Sequence, residues 1–380
     1  MKKAILSLNI VPATACMLLM VQAYLVAPLT PTLTKDFNSG LISMAVPAFA
    51  IPFALAALSM VLLKPKVKLN LWLMISLGAL CIGTYLLSKA SSAHDFLWIR
   101  ALTGLGTGVM LPTALLMAIR PQGKKRSMNH MVLIIFALAS GMTFGPSLGG
   151  WLNDLIGWRG LYLGIAMLTA LLLIISFLSD RQERGRGIVP YEMKAAGRSR
   201  SDWKSRYSYS FIFLTAVFHS GVFIWISYYF TTQYGLDEFY IATDLFIFGL
   251  PGFVVTLVMY FYQLNKQVIR VLYFSLGLTV AGLLLLMWNL PLWLAECLLG
   301  ILSIGFGCSQ PLFIGILKLP RGDVSPVGPI AKGSGLLFAG YGSGPLIMMA
   351  LLSFNLKVAI VFLVVLVLAL AYSSRRIWKV

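Results

Sequence analysis

Apolar residues run along this chain in stretches long enough to cross a bilayer, separated by short polar breaks. Runs of about 18 or more such residues read as membrane helices, because roughly 20 residues cover a ~30 Å hydrocarbon core. Twelve spans are predicted on this basis, at 6–28, 41–63, 70–88, 96–119, 129–150, 158–178, 208–231, 240–262, 268–288, 291–317, 328–352 and 355–373. A membrane β-barrel would instead show ~10-residue strands of alternating polarity. The pattern therefore predicts an all-α membrane protein.

Composition agrees. Hydrophobic residues make up 59% of the chain and charged residues 11%, where a soluble domain carries about 25% charged residues. A formal charge of +18 raises the question of nucleic acid, but the positions of the charges answer it. With the predicted spans, 25 of the 30 Lys and Arg fall on the side that holds both termini and the polar segment 179–207. The positive-inside rule makes that side cytoplasmic. The excess charge is thus topological, and no nucleic-acid partner is expected. Lys2-Lys3 before an apolar run mimics a signal peptide, but the run continues to Ala27 and reads as an uncleaved first span. Cys16, Cys81, Cys297 and Cys308 all lie in apolar spans without pairing or ligand spacing. They read as small packing residues, and neither metal nor cofactor is expected.

The chain also repeats itself. At an offset of 199 residues, Gly78, Gly83, Gly106, Gly108, Pro112, Pro121, Gly123, Gly141, Gly145 and Pro146 fall on Gly277, Gly282, Gly305, Gly307, Pro311, Pro320, Gly322, Gly340, Gly344 and Pro345. Ten of the 13 Gly or Pro in 72–150 find an identical partner, where chance would give about three; a repeat of this kind is an architectural signal. Gly and Pro set close approach and kinks in membrane helices. Shared backbone instructions therefore predict two like six-helix bundles, 1–178 and 208–380, joined by a cytoplasmic linker at 179–207. Parallel repeats of this kind place a site near the midplane between the halves.

Three segments carry a recognisable pattern. Span one ends in Pro28-Leu29-Thr30-Pro31 followed by Lys35-Asp36-Phe37; span four holds Arg100 ahead of Gly104, Gly106 and Gly108; span five reads Gly141-Met142-Thr143-Phe144-Gly145-Pro146-Ser147-Leu148-Gly149-Gly150, with Trp158-Arg159 beyond it. Together these resemble the major facilitator superfamily, and within it the twelve-span drug:proton antiporter branch. The resemblance implies a transporter of small molecules working by alternating access, with protons as a second partner, in a bacterial cytoplasmic membrane and as a monomer. It implies proton coupling at Arg100, and at Gly141, Gly145, Pro146, Gly149 and Gly150 a helix interface between halves that opposes leak. Two departures stand out. The loop after span two lacks the family's aspartate, Met60 occupying its position, and span one carries no acid, Gln22 and Tyr24 standing where one is common.

Ionisable groups inside membrane helices are costly and mark functional candidates. Arg100, Asp244, Glu296 and His219 meet that description. The bland alternative is that they snorkel or anchor their helices. The functional expectation is that Arg100 faces Asp244 or Glu296 across the outer vestibule. Gln22, Tyr24, Trp225 and Tyr228 are candidate cavity residues, with an interfacial aromatic belt as the competing account of Trp225, Tyr228 and Tyr229. The charges are not duplicated with the backbone: Leu299 stands opposite Arg100 in the repeat, and Leu97 opposite Glu296. An embedded enzyme is the rival class, but His94, His130 and His219 are scattered and no phosphate-binding loop is present. Export of a drug-like or small metabolite substrate is the expectation; uptake, or uncoupled facilitation, is the alternative.

Overall fold

The structure is a computed structural model and describes residues 2–63, 69–119, 124–184, 203–262, 268–307 and 326–378. Lipid offers the backbone no hydrogen-bond partners, so each apolar run satisfies its own as a helix. The described helices are α1 (Lys2–Tyr24), α2 (Thr30–Asp36), α3 (Ala45–Leu63), α4 (Leu69–Ser88), α5 (Ala93–Thr107), α6 (Met110–Ala118) and α7 (Lys124–Arg184) in the first half. The second half has α8 (Trp203–Tyr234), α9 (Glu238–Tyr262), α10 (Val268–Leu285), α11 (Leu292–Gly307), α12 (Val327–Leu352) and α13 (Leu356–Trp378).

These map onto twelve spans. α5 and α6 are one span broken near Gly108. α7 covers 61 residues, but Gly157 has φ 68° and ψ 160°, a left-handed φ open to glycine without a Cβ penalty. Two spans meet there. Exposed side chains such as Leu55, Leu171, Phe274 and Leu368 form the apolar outer face that lipid covers. The fold is all-α, as the apolar pattern predicts.

The linker expected at 179–207 falls mostly outside the described residues; 179–184 continue α7 and 203–207 already belong to α8. The repeat pairs Pro112/Pro311, Pro121/Pro320 and Gly123/Gly322 each have a member outside them as well. Several of the other pairs sit in equivalent packing. Gly83 abuts Thr103 while Gly282 abuts Leu302; Gly108 abuts Phe53 while Gly307 abuts Gly252; Gly145 abuts Val21 while Gly344 abuts Ser220. Each second contact is the first one shifted by 199 at both ends. The offset also reaches span two, where Pro52 inside α3 corresponds to Pro251 inside α9.

The same symmetry builds the seams between the halves. α3 packs along α12, and α7 along α9. Gly249 abuts Thr143 in one seam, and Gly342 abuts Ala50 in the other, again a pair of contacts related by 199.

Candidate functional site

At the end of the bundle away from both termini, Pro28 to Pro31 close span one and lead into α2. There the Trp-Arg pair after span five meets the Lys-Asp-Phe run after span one. Trp158 Nε1 donates to Asp36 Oδ2 at 2.8 Å, Arg159 stacks 4.1 Å over the Trp158 ring, and Arg159 lies 3.9 Å from Asp36. This cluster lies wholly within the first half.

Arg100 is fully buried. Its Nε donates to Ala45 O at 2.6 Å, and Nη2 to Ala23 O at 3.0 Å. Nη1 reaches Gln22 O at 3.5 Å and the Tyr162 hydroxyl at 3.4 Å. The carbonyls of Gln22 and Ala23 belong to the last turn of α1, where helical partners run out and a cation is favourable. The expected pairing with Asp244 or Glu296 is therefore absent. The guanidinium is consumed within its own half, by carbonyls that the end of span one leaves open and by Ala45 O in the first turn of α3.

Asp244 and Glu296 belong instead to neighbouring helices of the second half. Asp244 on α9 is 1% exposed and its Oδ2 has no hydrogen-bond partner. Glu296 on α11 is half-buried and within electrostatic reach of it.

The span-five glycines divide their work. A side chain at Gly141, Gly145 or Gly149 would run into the segment of span one from Met17 to Pro28, inside the first half, whereas one at Gly150 would meet Ala242 and the Glu238 carbonyl across the halves. Pro146 is buried between them. Next to Gly150, the Glu238 carboxylate at the start of α9 accepts from Thr32 N and Oγ1, both at 2.6 Å, and from Asn153 Nδ2 at 3.4 Å. Trp151 Nε1 donates to Thr243 Oγ1 at 3.0 Å. The two halves are thus latched at this end by a carboxylate that falls just ahead of the predicted span 240–262.

Described residues of both halves line two adjoining cavities. The larger holds about 490 Å³ of empty space and is lined from α1, α7, α8 and α12, with Met20, Met142, Thr215 and Tyr341 among its walls. The smaller, about 350 Å³, is lined from α7, α8, α9 and α11 and includes Met142, His219, Phe248 and Gly252. They adjoin at Met142. Tyr341 donates from its hydroxyl to Met142 Sδ at 3.6 Å, and these two residues are 199 apart. Residues equivalent under a twofold touch only close to its axis, so the cavities sit on the axis that relates the halves.

Of the candidate cavity residues, Tyr24 stands between the two spaces, its ring centroid 5.7 Å from Tyr341 and 5.3 Å from Phe223. Its buried hydroxyl has no partner. Gln22 is fully buried but lines neither cavity. At about 100° per residue it stands some 200° around α1 from both Met20 and Tyr24, which turns it into the first bundle. Trp225 and Tyr228 line neither cavity either. Trp225 is fully buried and stacked on Tyr229 at 4.8 Å, so an interfacial belt describes only Tyr228, which is 43% exposed. His219 is in the wall of the smaller cavity. Sequence reasoning missed Met142, Thr215 and Tyr341. The repeat held a signal for two of them, since Met142 and Tyr341 occupy equivalent places beside the matched glycines Gly141 and Gly340.

Residues 13–318 match the profile of the Major Facilitator Superfamily. The chain belongs to that superfamily. It is a multi-pass membrane protein of a transporter family, and not an enzyme. Among curated proteins it is 27% identical over 321 residues to a probable sugar efflux transporter of Pasteurella multocida, covering 80% of this chain and 74% of the relative. It is 21% identical to the uncharacterized MFS-type transporter YbcL of Bacillus subtilis over 54% of this chain; the match spans about half (52%) of that relative's length. In fold it resembles the human organic anion transporter MFSD10, with a TM-score of 0.73 at 15% identity over 97% of this chain and 98% of the other. A bacterial homolog of the human lysosomal transporter Spinster gives a TM-score of 0.68 at 13% identity, covering 100% and 98%.

Proposed function

We propose that this major facilitator protein exports a small drug-like or metabolite molecule in exchange for protons, by alternating access of the axial cavities to the two sides of the membrane. The observation that carries the reading is Asp244, a carboxyl buried inside a membrane span with one oxygen unpartnered and a second carboxyl, Glu296, beside it. Intramembrane acids of this kind mark proton pathways. Asp244 lies one helical turn from Phe248 in the wall of the smaller cavity, so a change of protonation there is felt where substrate would sit.

The span-five pattern supports the antiporter branch, and relatives described as a probable sugar efflux transporter and as multidrug resistance protein B homologs support export. The reading places the chain as a monomer in a bacterial cytoplasmic membrane, with both termini and the segment 179–207 inside, following the Lys and Arg bias. The latch at Glu238 then closes the outer side. The division into bundles 1–178 and 208–380 follows the repeat.

Inverted vesicles carrying the protein test the coupling. Addition of a transported compound from a panel of toxic compounds and secreted metabolites is expected to dissipate an imposed pH gradient. Asp244→Asn is expected to lower that proton flux at least tenfold while leaving the amount of folded protein in the membrane unchanged, and Glu296→Gln to lower it less. Undiminished flux with Asp244→Asn would remove this acid from the mechanism.

A further inference from the structure

The two seams between the halves follow one pattern, but they are filled differently. In the seam between α3 and α12, the rings of Phe53 and Phe338 stack with centroids 3.6 Å apart and an interplanar angle of 21°. Both are buried to 1% or less. Adding 199 to Phe53 and subtracting it from Phe338 gives the corresponding positions in the seam between α7 and α9. These are Gly252 and Ala139, and both line the smaller cavity. Two phenyl rings on one side of the axis are thus matched by a hydrogen and a methyl group on the other. The surrounding backbone follows the same contacts, Gly249 on Thr143 and Gly342 on Ala50. At Gly252 part of the room is taken by Ser303, which stands where the first half has Gly104 and whose Oγ accepts from Gly252 N at 2.8 Å; the rest stays open as the smaller cavity. The smaller cavity lies where the repeat exchanges two phenyl rings for these small residues.

The walls of that space are aromatic. Phe248 and Phe253 come from α9, and Phe223 and His219 from α8; His219 packs 4.8 Å from Phe223 and 6.0 Å from Phe248. Aromatic rings gain from edge and offset contacts with one another at such separations. The opposite seam displays what fills a slot of this shape, namely a phenyl ring. Among the described residues, neither cavity is lined by Asp, Glu, Lys or Arg. Arg100 is fully engaged by its own acceptors and stands apart. A charged ligand would leave water here without a compensating partner, at high cost. The larger cavity, joined at Met142, does supply neutral hydrogen-bonding groups: the Tyr341 hydroxyl and Thr215, whose buried Oγ1 has no partner.

We infer that the smaller cavity is an aromatic-ring subsite and that the ligand is an uncharged aromatic molecule, its ring seated between Ala139 and Gly252 and its polar neutral end turned toward Thr215 and Tyr341 in the larger cavity. The inference deepens the transport reading by naming the substrate class, and rests on that reading only for calling the ligand a substrate. Methionine at the junction adapts to ligands of varied outline, so the ring and the absence of charge are the selected features.

Photolabelling of the full-length protein in lipid nanodiscs tests the assignment. The probe is a benzyl alcohol carrying a trifluoromethyl-diazirine on the ring, compared with the benzoate and benzylammonium of the same skeleton. Saturable insertion of the alcohol at Met142, Phe248 or Phe253 is expected, and at least tenfold less from either charged counterpart. Ala139→Phe restores the ring that the repeat omits and is expected to lower the labelling at least tenfold with an unchanged melting temperature; Ala139→Leu provides the same comparison with a smaller plug. Equal labelling of a plugged, folded variant overturns the subsite, equal labelling by a charged counterpart overturns the ligand class, and no saturable insertion in the unmodified protein overturns both. Because the assay needs no transport, loss of proton flux in Asp244→Asn with labelling intact bears on coupling alone. Failed labelling with flux intact bears on the subsite alone.

Discussion

Arg100→Ala is expected to strip the protein of most of its folded population. Four acceptors converge on a guanidinium with no exposed surface: Ala45 O, Gln22 O, Ala23 O and the Tyr162 hydroxyl. Alanine would leave the Gln22 and Ala23 carbonyls at the end of α1 without those donors at membrane depth, and a void the size of an arginine side chain. Each orphaned buried acceptor costs about 1–3 kcal/mol, so the loss amounts to several kcal/mol, a large part of the stability of an ordinary domain. Lysine is expected to recover only part of it, because one ammonium cannot reproduce the planar fork that serves α1 and α3 together. Melting temperature and the monodisperse fraction in detergent are the measurements. An Arg100→Ala protein that melts within about 2 °C of the unmodified chain would contradict this, given how steeply melting temperature follows stability. The outcome also governs how transport data are read. Lost transport in this variant, with lost fold, says nothing about proton coupling, and the acids of the second half are the place to test it.

The second large effect is expected at Glu238. Its carboxylate ties Thr32 and Asn153 of the first half to the start of α9, and α9 is pressed against the same place through Gly150. Alternating access requires this end to separate from its partner half when the cavities open toward it. The latch weighs directly on that equilibrium. Hydrogen bonds to a charged acceptor contribute about 1.5–3 kcal/mol each when buried, and less for a part-buried group such as this. A net bias of about 2 kcal/mol would change the ratio of open to closed forms by roughly 30-fold. Glu238→Ala is therefore expected to raise the rate at which a membrane-impermeant maleimide, added from the Glu238 side, modifies a cysteine placed at Thr215. Glu238→Gln, which keeps one acceptor oxygen, should give a smaller rise. Asn153→Ala should add little once Glu238 is gone, because the two belong to one network. An unchanged rate in Glu238→Ala would show that the seams, not the latch, hold this end shut.

The legibility of this protein divides along residue type. The spans were legible because an apolar run of span length has one low-energy solution in lipid, a helix. The break between α5 and α6 near Gly108 and the turn at Gly157 were less so, since a glycine permits a kink without requiring one. The duplication was legible because glycine and proline act through the backbone, and the same instruction at two places gives the same local geometry. It extended further than the matched letters: Val21 on Gly145 and Ser220 on Gly344 are equivalent contacts between unlike residues, invisible to an identity count.

The charged candidates were named by type and depth alone, and their partners were not readable. Arg100 was expected across the vestibule from an acid, yet the carbonyls freed at the end of α1 were nearer and need no second half. Glu238 falls between two predicted spans, and only the approach of α2 and α7 makes it a bridge. Gln22 carried the right chemistry for a cavity but points the wrong way around its helix, a matter of 200° that depends on where α1 seats against α7.

What the sequence by itself determined is the class of molecule: helices in lipid, two related halves, and a family pattern on spans one, four and five. These depend on local composition and on periodicities the chain carries wherever it folds. What only the tertiary structure decided is who meets whom across the seams. Met142 meets Tyr341 on the axis, Glu238 meets Thr32, and Ala139 and Gly252 line one cavity while Phe338 and Phe53 fill the opposite seam. Contacts between residues a hundred or more positions apart depend on helix rotation, depth and the packing of every neighbour at once, and that information is not held at any single place in the chain.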